Sequence, residues 1–424
     1  MPTPLDALYR KVTWRLIPFL CLCYLAAYLD RINVGFAKLQ MLGQLHLSEA
    51  AYGLGAGLFF VGYILFEVPS NLVLAKVGAR RWIARIMISW GLLSGLTLLV
   101  RSAESFYLLR FLLGVAEAGF LPGVLYYLTQ WFPSWRRGRI IALFMLGLPL
   151  SNLFGAPLSG WIMAHFDGQA GLAGWQWLFL LEAVPSVLLG VLCLRLLPDG
   201  IAQAPWLSTA EKAQLAQALA ADEAANPGGS RFSDGFFDRK VWMLGGIDFS
   251  ILLCAYAMGF WLPTFIRDAG VADPAHIGWL VAIPSLAGVI GMLVLGASSD
   301  RRRERRWHII GPFIAGAASL FASTFVGGNL VAIIALFSLA TAAILGALPA
   351  FFSLPATFLK GTASATGFAL ACSLANIAGL VGNTLMGAVM QRFHSPQIAL
   401  WLFAASLLAS CVLAWALPAR VVNR

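Results

Sequence analysis

Apolar residues run along almost the whole chain in long stretches that short polar segments separate. Each stretch is about 20 residues long, which lets a helix cross a hydrocarbon layer about 30 Å thick. Lipid offers no hydrogen-bond partner to backbone amides, so such stretches must be helical. The pattern predicts twelve membrane-spanning helices, at residues 14–34, 52–75, 82–100, 106–130, 139–165, 175–197, 241–266, 276–298, 308–326, 330–352, 362–390 and 397–417.

One long polar segment, residues 198–240, divides these helices six and six. Within it, Ser208 and Glu211 have the spacing of a capping box, which predicts a short helix. Carriers built from two halves place their substrate site between the halves, near the middle of the membrane. We therefore predict an all-α integral membrane protein with two six-helix bundles, residues 1–197 and 241–424, joined by the 198–240 loop.

Composition agrees with this reading. The chain is 60 % hydrophobic and 11 % charged, with a mean hydropathy of +0.80, whereas a soluble domain is about 25 % charged. The net charge of +10 comes from basic residues concentrated in alternate loops: Lys76, Arg80, Arg81 and Arg85, then Arg136, Arg137 and Arg139, then 301–306. The opposite loops carry scattered charges, such as Lys38, Arg101, Arg267 and Arg392. This asymmetry predicts cytoplasmic termini and a cytoplasmic 198–240 loop, and it argues against a surface for nucleic acid.

Four charged residues interrupt the apolar stretches of the first third of the chain: Asp30, Arg31, Arg110 and Glu117. A charge at bilayer depth costs about 2.5–3.5 kcal/mol on insertion scales, so such residues are normally functional and paired. Asp30 and Arg31 are adjacent and diverge by about 100° on a helix. We expect Arg31 to face a central cavity and Asp30 to face neighbouring helices, the alternative being an ion pair at the outer mouth.

Arg110 and Glu117 are seven positions apart, which places them on one helix face and about 10 Å apart along the axis. We expect Arg110 near the entrance and Glu117 near mid-depth, where a carboxylate can take up and release a proton. A structural ion pair is the alternative. Arginine suits anion binding because its planar fork holds a carboxylate through two parallel hydrogen bonds.

Further polar and aromatic residues in the apolar stretches are candidates for the same site. Tyr63 would donate a hydroxyl, and Asn376 would contact the far end of a substrate; helix packing is the alternative for each. Weaker candidates are Asn152, Asn383 as an interhelical hydrogen-bonding group, Trp261 and Phe352 as an apolar wall, and Glu67 as a gate. Asp248 is a lone acid to which the sequence assigns no role.

Other classes of protein fit the sequence less well. The six cysteines all lie in apolar stretches without the spacing of metal ligands, and the five histidines are scattered, so we predict no enzyme, no metal and no cofactor except a coupled proton. A membrane sensor would need a sizeable soluble output domain, and residues 198–240 are too few. An exporter or antiporter of organic cations would want acids without fixed arginines. Residues 1–13 are polar, so no cleavable signal peptide is expected.

Several motifs resemble the major facilitator superfamily and, within it, the anion:cation symporter group. They are Tyr28-Leu-Asp-Arg-Ile-Asn-Val-Gly-Phe36, Gly62-Tyr-Ile-Leu-Phe-Glu-Val-Pro-Ser-Asn71, Gly78-Ala-Arg-Arg-Trp-Ile-Ala-Arg85, Arg110-Phe-Leu-Leu-Gly-Val-Ala-Glu117 and Gly174-Trp-Gln-Trp-Leu-Phe179 in the first half, with Phe260-Trp-Leu-Pro263, Ser299-Asp-Arg301, Ser353-Leu-Pro355 and Ala375-Asn-Ile-Ala-Gly379 in the second. The resemblance spans residues 14–417. It is most specific where Asp-Arg and Arg-x6-Glu occur together.

The resemblance implies the major facilitator fold and proton-coupled uptake of small organic anions by bacteria. It is closest to permeases for tartrate, phthalate and hydroxyphenylacetate. It also implies that Arg31, Tyr63 and Arg110 contact substrate, that Asp30 and Glu117 take protons, and that Asn376 lies on the substrate side of the second half. Ala375 stands where relatives usually carry glycine, a departure that bears on pocket shape.

The sequence therefore predicts a symporter that imports a small organic carboxylate with protons by alternating access. The substrate is a tartrate-like dicarboxylate, an aromatic acid or a sugar acid. We expect a monomer in the bacterial inner membrane, whose partners are the carboxylate, protons and lipid, and no nucleic acid.

Overall fold

The computed structural model describes residues 4–225, 239–354 and 362–418, and all their side chains except those of Ala142, Ala225 and residues 362–372. Within these ranges sixteen α-helices carry the fold. They are α1 (Pro4–Gln44), α2 (Glu49–Val77), α3 (Ala79–Leu96), α4 (Ala103–Glu117), α5 (Phe120–Thr129), α6 (Ser134–Met145), α7 (Gly147–His165), α8 (Gly174–Leu196), α9 (Thr209–Ala225), α10 (Arg239–Asp268), α11 (Pro274–Arg302), α12 (Trp307–Ser323), α13 (Leu330–Gly346), α14 (Leu348–Ser353), α15 (Thr362–Phe393) and α16 (Gln397–Ala416).

These helices confirm the predicted twelve-helix fold. Eleven helical segments are long and apolar enough to cross a membrane, three of them formed by consecutive helices: α4 with α5, α6 with α7, and α13 with α14. The twelfth is α12, an apolar helix of 17 residues that is about 25 Å long at 1.5 Å per residue. We call the membrane side that carries Arg80, Arg136 and Arg301 the basic face, and the opposite side the distal face.

The helix α9 lies outside the membrane, on the basic face, and confirms the predicted capping box. The backbone N–H of Glu211 donates to the Ser208 hydroxyl (3.2 Å), and that of Ser208 donates to the Glu211 carboxylate (2.8 Å). Lys11 of α1 pairs with Glu211 at 2.8 Å, and its hydrogen bond lowers the pKa of that carboxyl. Asp222 accepts from the backbone N–H of Ser134 at 2.8 Å. These contacts hold α9 against the first bundle.

The two bundles meet along three pairs of helices: α2 with α15, α7 with α11, and α1 with α10. Glycines allow the first two pairs to approach closely at the distal face. A Cβ on Gly53 of α2 would lie 2.9 Å from the Cα of Gly387 in α15, and one on Gly278 of α11 would lie 3.0 Å from the Cα of Pro157 in α7. The distal ends of the bundles are therefore in backbone contact.

The predicted continuous helix over residues 106–130 is wrong in one respect, because it breaks between Glu117 and Phe120. Gly119 adopts a left-handed conformation with φ +85°, which a residue with a side chain adopts only at a cost. A Cβ there would also lie 2.8 Å from the Cβ of Ser70 in α2. The break makes Glu117 the last residue of α4. The predicted helices 139–165 and 330–352 are interrupted as well, at Leu146 and Ala347.

Close packing of α2 against α4 gives a test of this arrangement. A Cβ at Gly114 would lie 3.0 Å from the backbone nitrogen of Tyr63 and still closer to the Phe59 carbonyl. We expect Gly114→Ala to destabilise the protein by about 1–3 kcal/mol, the usual cost of overpacking. Thermal unfolding in detergent measures the loss. Gly311→Ala is the matched control, because that glycine lies in α12 with open space around it; equal melting temperatures for the two variants would contradict the packing.

Candidate functional site

Arg31 lies between the bundles and is 6 % exposed. One guanidinium nitrogen forms an ion pair with Glu117 at the end of α4, and the other donates to the hydroxyl of Tyr256 in α10 at 3.0 Å. The rings of Tyr28 and Tyr63 flank the guanidinium, with centroids 5.0 and 5.3 Å from its central carbon. Tyr63 thus contacts Arg31 through its ring, and its role as a hydroxyl donor to the substrate stays a prediction.

Arg110 is 1 % exposed, and none of its three guanidinium nitrogens has a hydrogen-bond partner among the described residues. The ring centroid of Phe59 lies 5.0 Å from the guanidinium carbon of Arg110 and 5.1 Å from that of Arg31. Glu117 pairs with Arg31 rather than with Arg110. An unpaired buried charge is costly, which makes Arg110 a candidate for binding an anion.

Two arginines and two acids lie in or beside this cluster, all of them buried: Arg31, Arg110, Glu117 and, on the basic side, Glu67. Glu117 is the acid in contact with a guanidinium, that of Arg31. Arg110 has no hydrogen-bonded carboxylate among the described residues, and the bidentate geometry of arginine fits such a group.

Tyr256 links the cluster to the second bundle, and sequence reasoning missed it. Its hydroxyl contacts Arg31, as above, and lies 3.5 Å from the side-chain oxygen of Asn376 in α15. The structure therefore brings Asn376 to the same site, through Tyr256. A single tyrosine in an apolar stretch gave no signal, because only the fold places it against Arg31.

A cavity of about 60 Å³ lies between the bundles and shares Tyr28 and Tyr256 with the arginine site. Asn152 lines it, together with Ser285 and Thr341 from the second bundle. It has room for a few water molecules but is far below the roughly 300–1,000 Å³ of typical ligand pockets. The bundles must separate there before an organic acid can enter.

Asp30 faces away from this site, as its position next to Arg31 predicted. Its carboxylate accepts hydrogen bonds from Trp90 Nε1 (3.0 Å), Ser94 Oγ (2.9 Å) and Ser186 Oγ (2.5 Å). No cation of the described chain lies within 4 Å of it, and it is 1 % exposed. Asp30 therefore belongs to a second polar cluster inside the first bundle.

Three aromatic or charged residues lie elsewhere than the sequence suggested. The sequence pattern predicts a loop position for Lys38, but the residue is fully buried in α1. Its Nζ lies 2.7 Å from a carboxylate oxygen of Glu49 and 3.7 Å from the ring centroid of Trp261. Trp261 does not line the cavity; it donates to Asn383 at 3.1 Å, which confirms Asn383 as an interhelical group. Phe352 packs on its neighbour Phe351. The long stem of lysine and the cation–π contact make burial of Lys38 possible.

The two remaining acids of the sequence analysis also lie in the protein interior. Glu67 accepts a hydrogen bond from Ser373 of α15 at 3.0 Å, which connects the bundles on the basic side of the arginine site. Asp248 is 3 % exposed, and no described residue pairs with it. The structure assigns Glu67 to the contact between bundles and leaves Asp248 without a role.

Lys38 carries a prediction about closure of the distal face. In Lys38→Gln, Glu49 and Trp261 both lose their cation, so we expect the bundles to part there more often. Thr384→Cys reports this opening, because the Thr384 hydroxyl is buried near Gly57. In a background without native cysteines, an impermeant maleimide should label it faster with Lys38→Gln than without. Arg101→Gln, which removes an exposed cation of the distal face, is the control and should leave the rate unchanged. Equal labelling rates for both variants would contradict the role of Lys38.

Comparisons with known proteins agree with the fold and indicate a transport function. The sequence model of the Major Facilitator Superfamily matches residues 20–374. A Pseudomonas putida protein named "Putative metabolite transport protein NicT" is 70 % identical, over 99 % of this chain and 96 % of its own length. An Agrobacterium vitis protein named "Putative tartrate transporter" is 43 % identical over 95 % and 93 %. An Acinetobacter baumannii protein named "Quinolone resistance transporter" is 40 % identical over 97 % and 95 %.

Proposed function

Because this chain belongs to the major facilitator superfamily, a family of membrane transporters and not of enzymes, we propose that it is a symporter that imports a small organic carboxylate with protons. The chain is a multi-pass membrane protein that transports a small metabolite. Proton coupling, direction and substrate class are the proposal. The relative named for tartrate supports a carboxylate.

The observation that carries the proposal is the pair of buried arginines, Arg31 and Arg110, of which only Arg31 has an ion-pair partner among the described residues. Arg110 has no hydrogen-bond partner among the described residues, and Arg31 has an anionic partner, Glu117, that a proton can neutralise. A substrate carboxylate supplies the anion that Arg110 lacks. This arrangement favours an organic anion over an organic cation, since like charges in a low-dielectric site repel strongly.

The ion pair suggests how protons couple to the substrate. With Glu117 ionised, Arg31 is held by it; with Glu117 protonated, Arg31 is free to bind the carboxylate beside Arg110. Tyr256 and Asn376 then contact the substrate from the second bundle, and Tyr63 closes the site with its ring. The substrate carboxylate then replaces the ionised Glu117 as the counter-charge of the arginines, so the buried guanidinium groups stay compensated. The loaded carrier opens to the opposite side of the membrane.

Orientation follows from the basic residues. The basic face lies in the cytoplasm by the positive-inside rule, with both termini and α9 on that side. The proposal places the protein in the bacterial inner membrane as a monomer, with Asp30 as a second proton-binding residue. Protons and substrate enter from the distal face, where the proton concentration outside an energised cell is higher.

An exporter is the second candidate, because one relative is named for quinolone resistance. The arginines alone do not decide the direction of transport. The coupling experiment does. An antiporter moves protons opposite to its substrate, and a symporter moves both together.

Purified protein in vesicles tests the proposal. Radiolabelled tartrate, phthalate, hydroxyphenylacetate and a sugar acid are each offered with an inward proton gradient. We expect at least one to accumulate above equilibrium and to be released when an uncoupler collapses the gradient. Accumulation driven only by an outward-directed proton flux would show an antiporter, and uptake that ignores the gradient would contradict proton coupling.

A further inference from the structure

The second polar cluster of the first bundle contains an acid that the proposed cycle leaves unused. Glu182 lies in α8 and is 2 % exposed. Its Oε1 accepts from the Ser159 hydroxyl of α7 at 2.6 Å. Its Oε2 has no partner at normal hydrogen-bond geometry among the described residues and faces the side chain of Asn33. No lysine, arginine or histidine of the described chain lies within 4 Å of it. A buried carboxylate with one donor and no cation is unfavourable when ionised.

Asn33 gives a second, independent sign that a proton resides here. It is fully buried on α1 and faces Glu182. Its side-chain oxygen and nitrogen have no partner at normal hydrogen-bond geometry in the part of the chain that the structure describes. A protonated Glu182 carries an O–H donor, which the oxygen of Asn33 can accept. The Asn33 nitrogen can donate to Glu182 in either protonation state, but only a protonated Glu182 can donate to the Asn33 oxygen.

Asp30 differs from Glu182 although both belong to one cluster. Asp30 accepts three hydrogen bonds, which stabilise an ionised carboxylate, and Glu182 accepts one. Two ionised carboxylates in one dry cluster repel. The geometry thus distributes one proton between the two acids, with Glu182 as its holder in this state.

The cluster also provides a path between them. Ser186, one helical turn after Glu182, donates to Asp30, and Asn33 lies one turn after Asp30 on α1. Among the helices packed against α8, the titratable group that acts on Glu182 is Asp30 on α1. The helices α3 and α7 contribute Trp90, Ser94 and Ser159, and none of their described arginines or histidines forms an ion pair with Glu182.

We infer that Glu182 is a resident proton-holding residue of the transport cycle, which exchanges its proton with Asp30. In the exchange the O–H bond of Glu182 breaks and one forms on Asp30, so that the negative charge passes to Glu182, where Ser159 and the amide of Asn33 can donate to it. The inference rests on the proposed proton symport. Asp30 and Arg31 are adjacent on α1 and face opposite sides of that helix. Protonation of Asp30 on one side and substrate binding at Arg31 on the other therefore both act on α1.

Infrared spectroscopy of the purified protein in lipid tests the resident proton directly. Glu182→Gln should remove a carboxylic-acid C=O band that is present at neutral pH. The control is Glu104→Gln, which changes an exposed acid at the start of α4 and should leave the band in place. Persistence of every carboxylic-acid band in Glu182→Gln would overturn the inference.

Transport assays measure how much the Glu182 proton contributes to coupling. Glu182→Gln should lower gradient-driven accumulation about tenfold, within the usual range of a coupling free energy, and narrow its pH profile, with substrate counterflow close to wild type. Glu182→Asp keeps a carboxyl group and should retain part of the coupling between protons and substrate. This variant also tests the inference if Glu182→Gln fails to fold. Wild-type accumulation with an unchanged pH profile in both variants would overturn the inference. If the wild type shows no proton-driven accumulation, the proposed symport fails instead, and the infrared band still decides whether Glu182 holds a proton.

Discussion

Replacing Arg110 with glutamine should raise the dissociation constant for the substrate carboxylate about a hundredfold, because truncating one partner of a buried charged pair costs about 2–5 kcal/mol. The stability of the protein without substrate should change little, since the Arg110 guanidinium has no hydrogen bond to lose among the described residues. Thermal-shift titration with the acid that accumulates in vesicles measures the affinity, and the melting temperature without ligand measures the stability.

Two variants make this prediction specific. Arg110→Lys keeps the charge but loses the planar fork, so we expect binding intermediate between wild type and glutamine. Arg101→Gln removes an exposed arginine just before the same helix and should bind substrate like wild type. A folded Arg110→Gln protein with wild-type affinity would contradict the site, because no other unpaired buried guanidinium of the described residues is present to take its place.

Glu117→Gln should separate transport from the proton gradient. The amide imitates the protonated acid, so Arg31 is released from its ion pair at every pH and remains available to substrate. We expect counterflow exchange to continue, while accumulation driven by a proton gradient falls to the level of equilibration. The same vesicle preparation, assayed for counterflow and for gradient-driven uptake, measures both.

Glu104→Gln is the matched control for Glu117, since it changes an exposed acid in the first turn of the same helix. It should accumulate substrate as wild type does. If Glu117→Gln retained gradient-driven accumulation with normal counterflow, the proton role of Glu117 would be wrong and coupling would have to reside with the Asp30 and Glu182 cluster.

The membrane helices and the divergence of Asp30 from Arg31 were predictable because both depend on local rules. Apolar length determines whether a segment spans lipid, and a step of about 100° separates adjacent side chains on any helix. Ser208 and Glu211 are predictable for the same reason, since a capping box uses residues three positions apart. The distribution of basic residues is a property of the sequence alone.

Features that depend on contacts between distant helices were not predictable. Lys38 looked like a loop charge because its partners, Glu49 and Trp261, lie in two other helices. Tyr256 gained its role only from the approach of α10 to Arg31. The break after Glu117 needed Gly119 to pack against Ser70, and an apolar run with a single glycine is equally compatible with an unbroken helix.

The central claim is that Arg31 changes partner, from Glu117 in the empty carrier to the substrate carboxylate when Glu117 is protonated. The most direct measurement is an experimental structure at acidic pH with the transported acid bound. The account predicts the carboxylate within hydrogen-bond distance of Arg31 and Arg110, with the Arg31–Glu117 ion pair broken. A substrate bound elsewhere between the bundles, with that ion pair intact and Arg110 still without a partner, would contradict it.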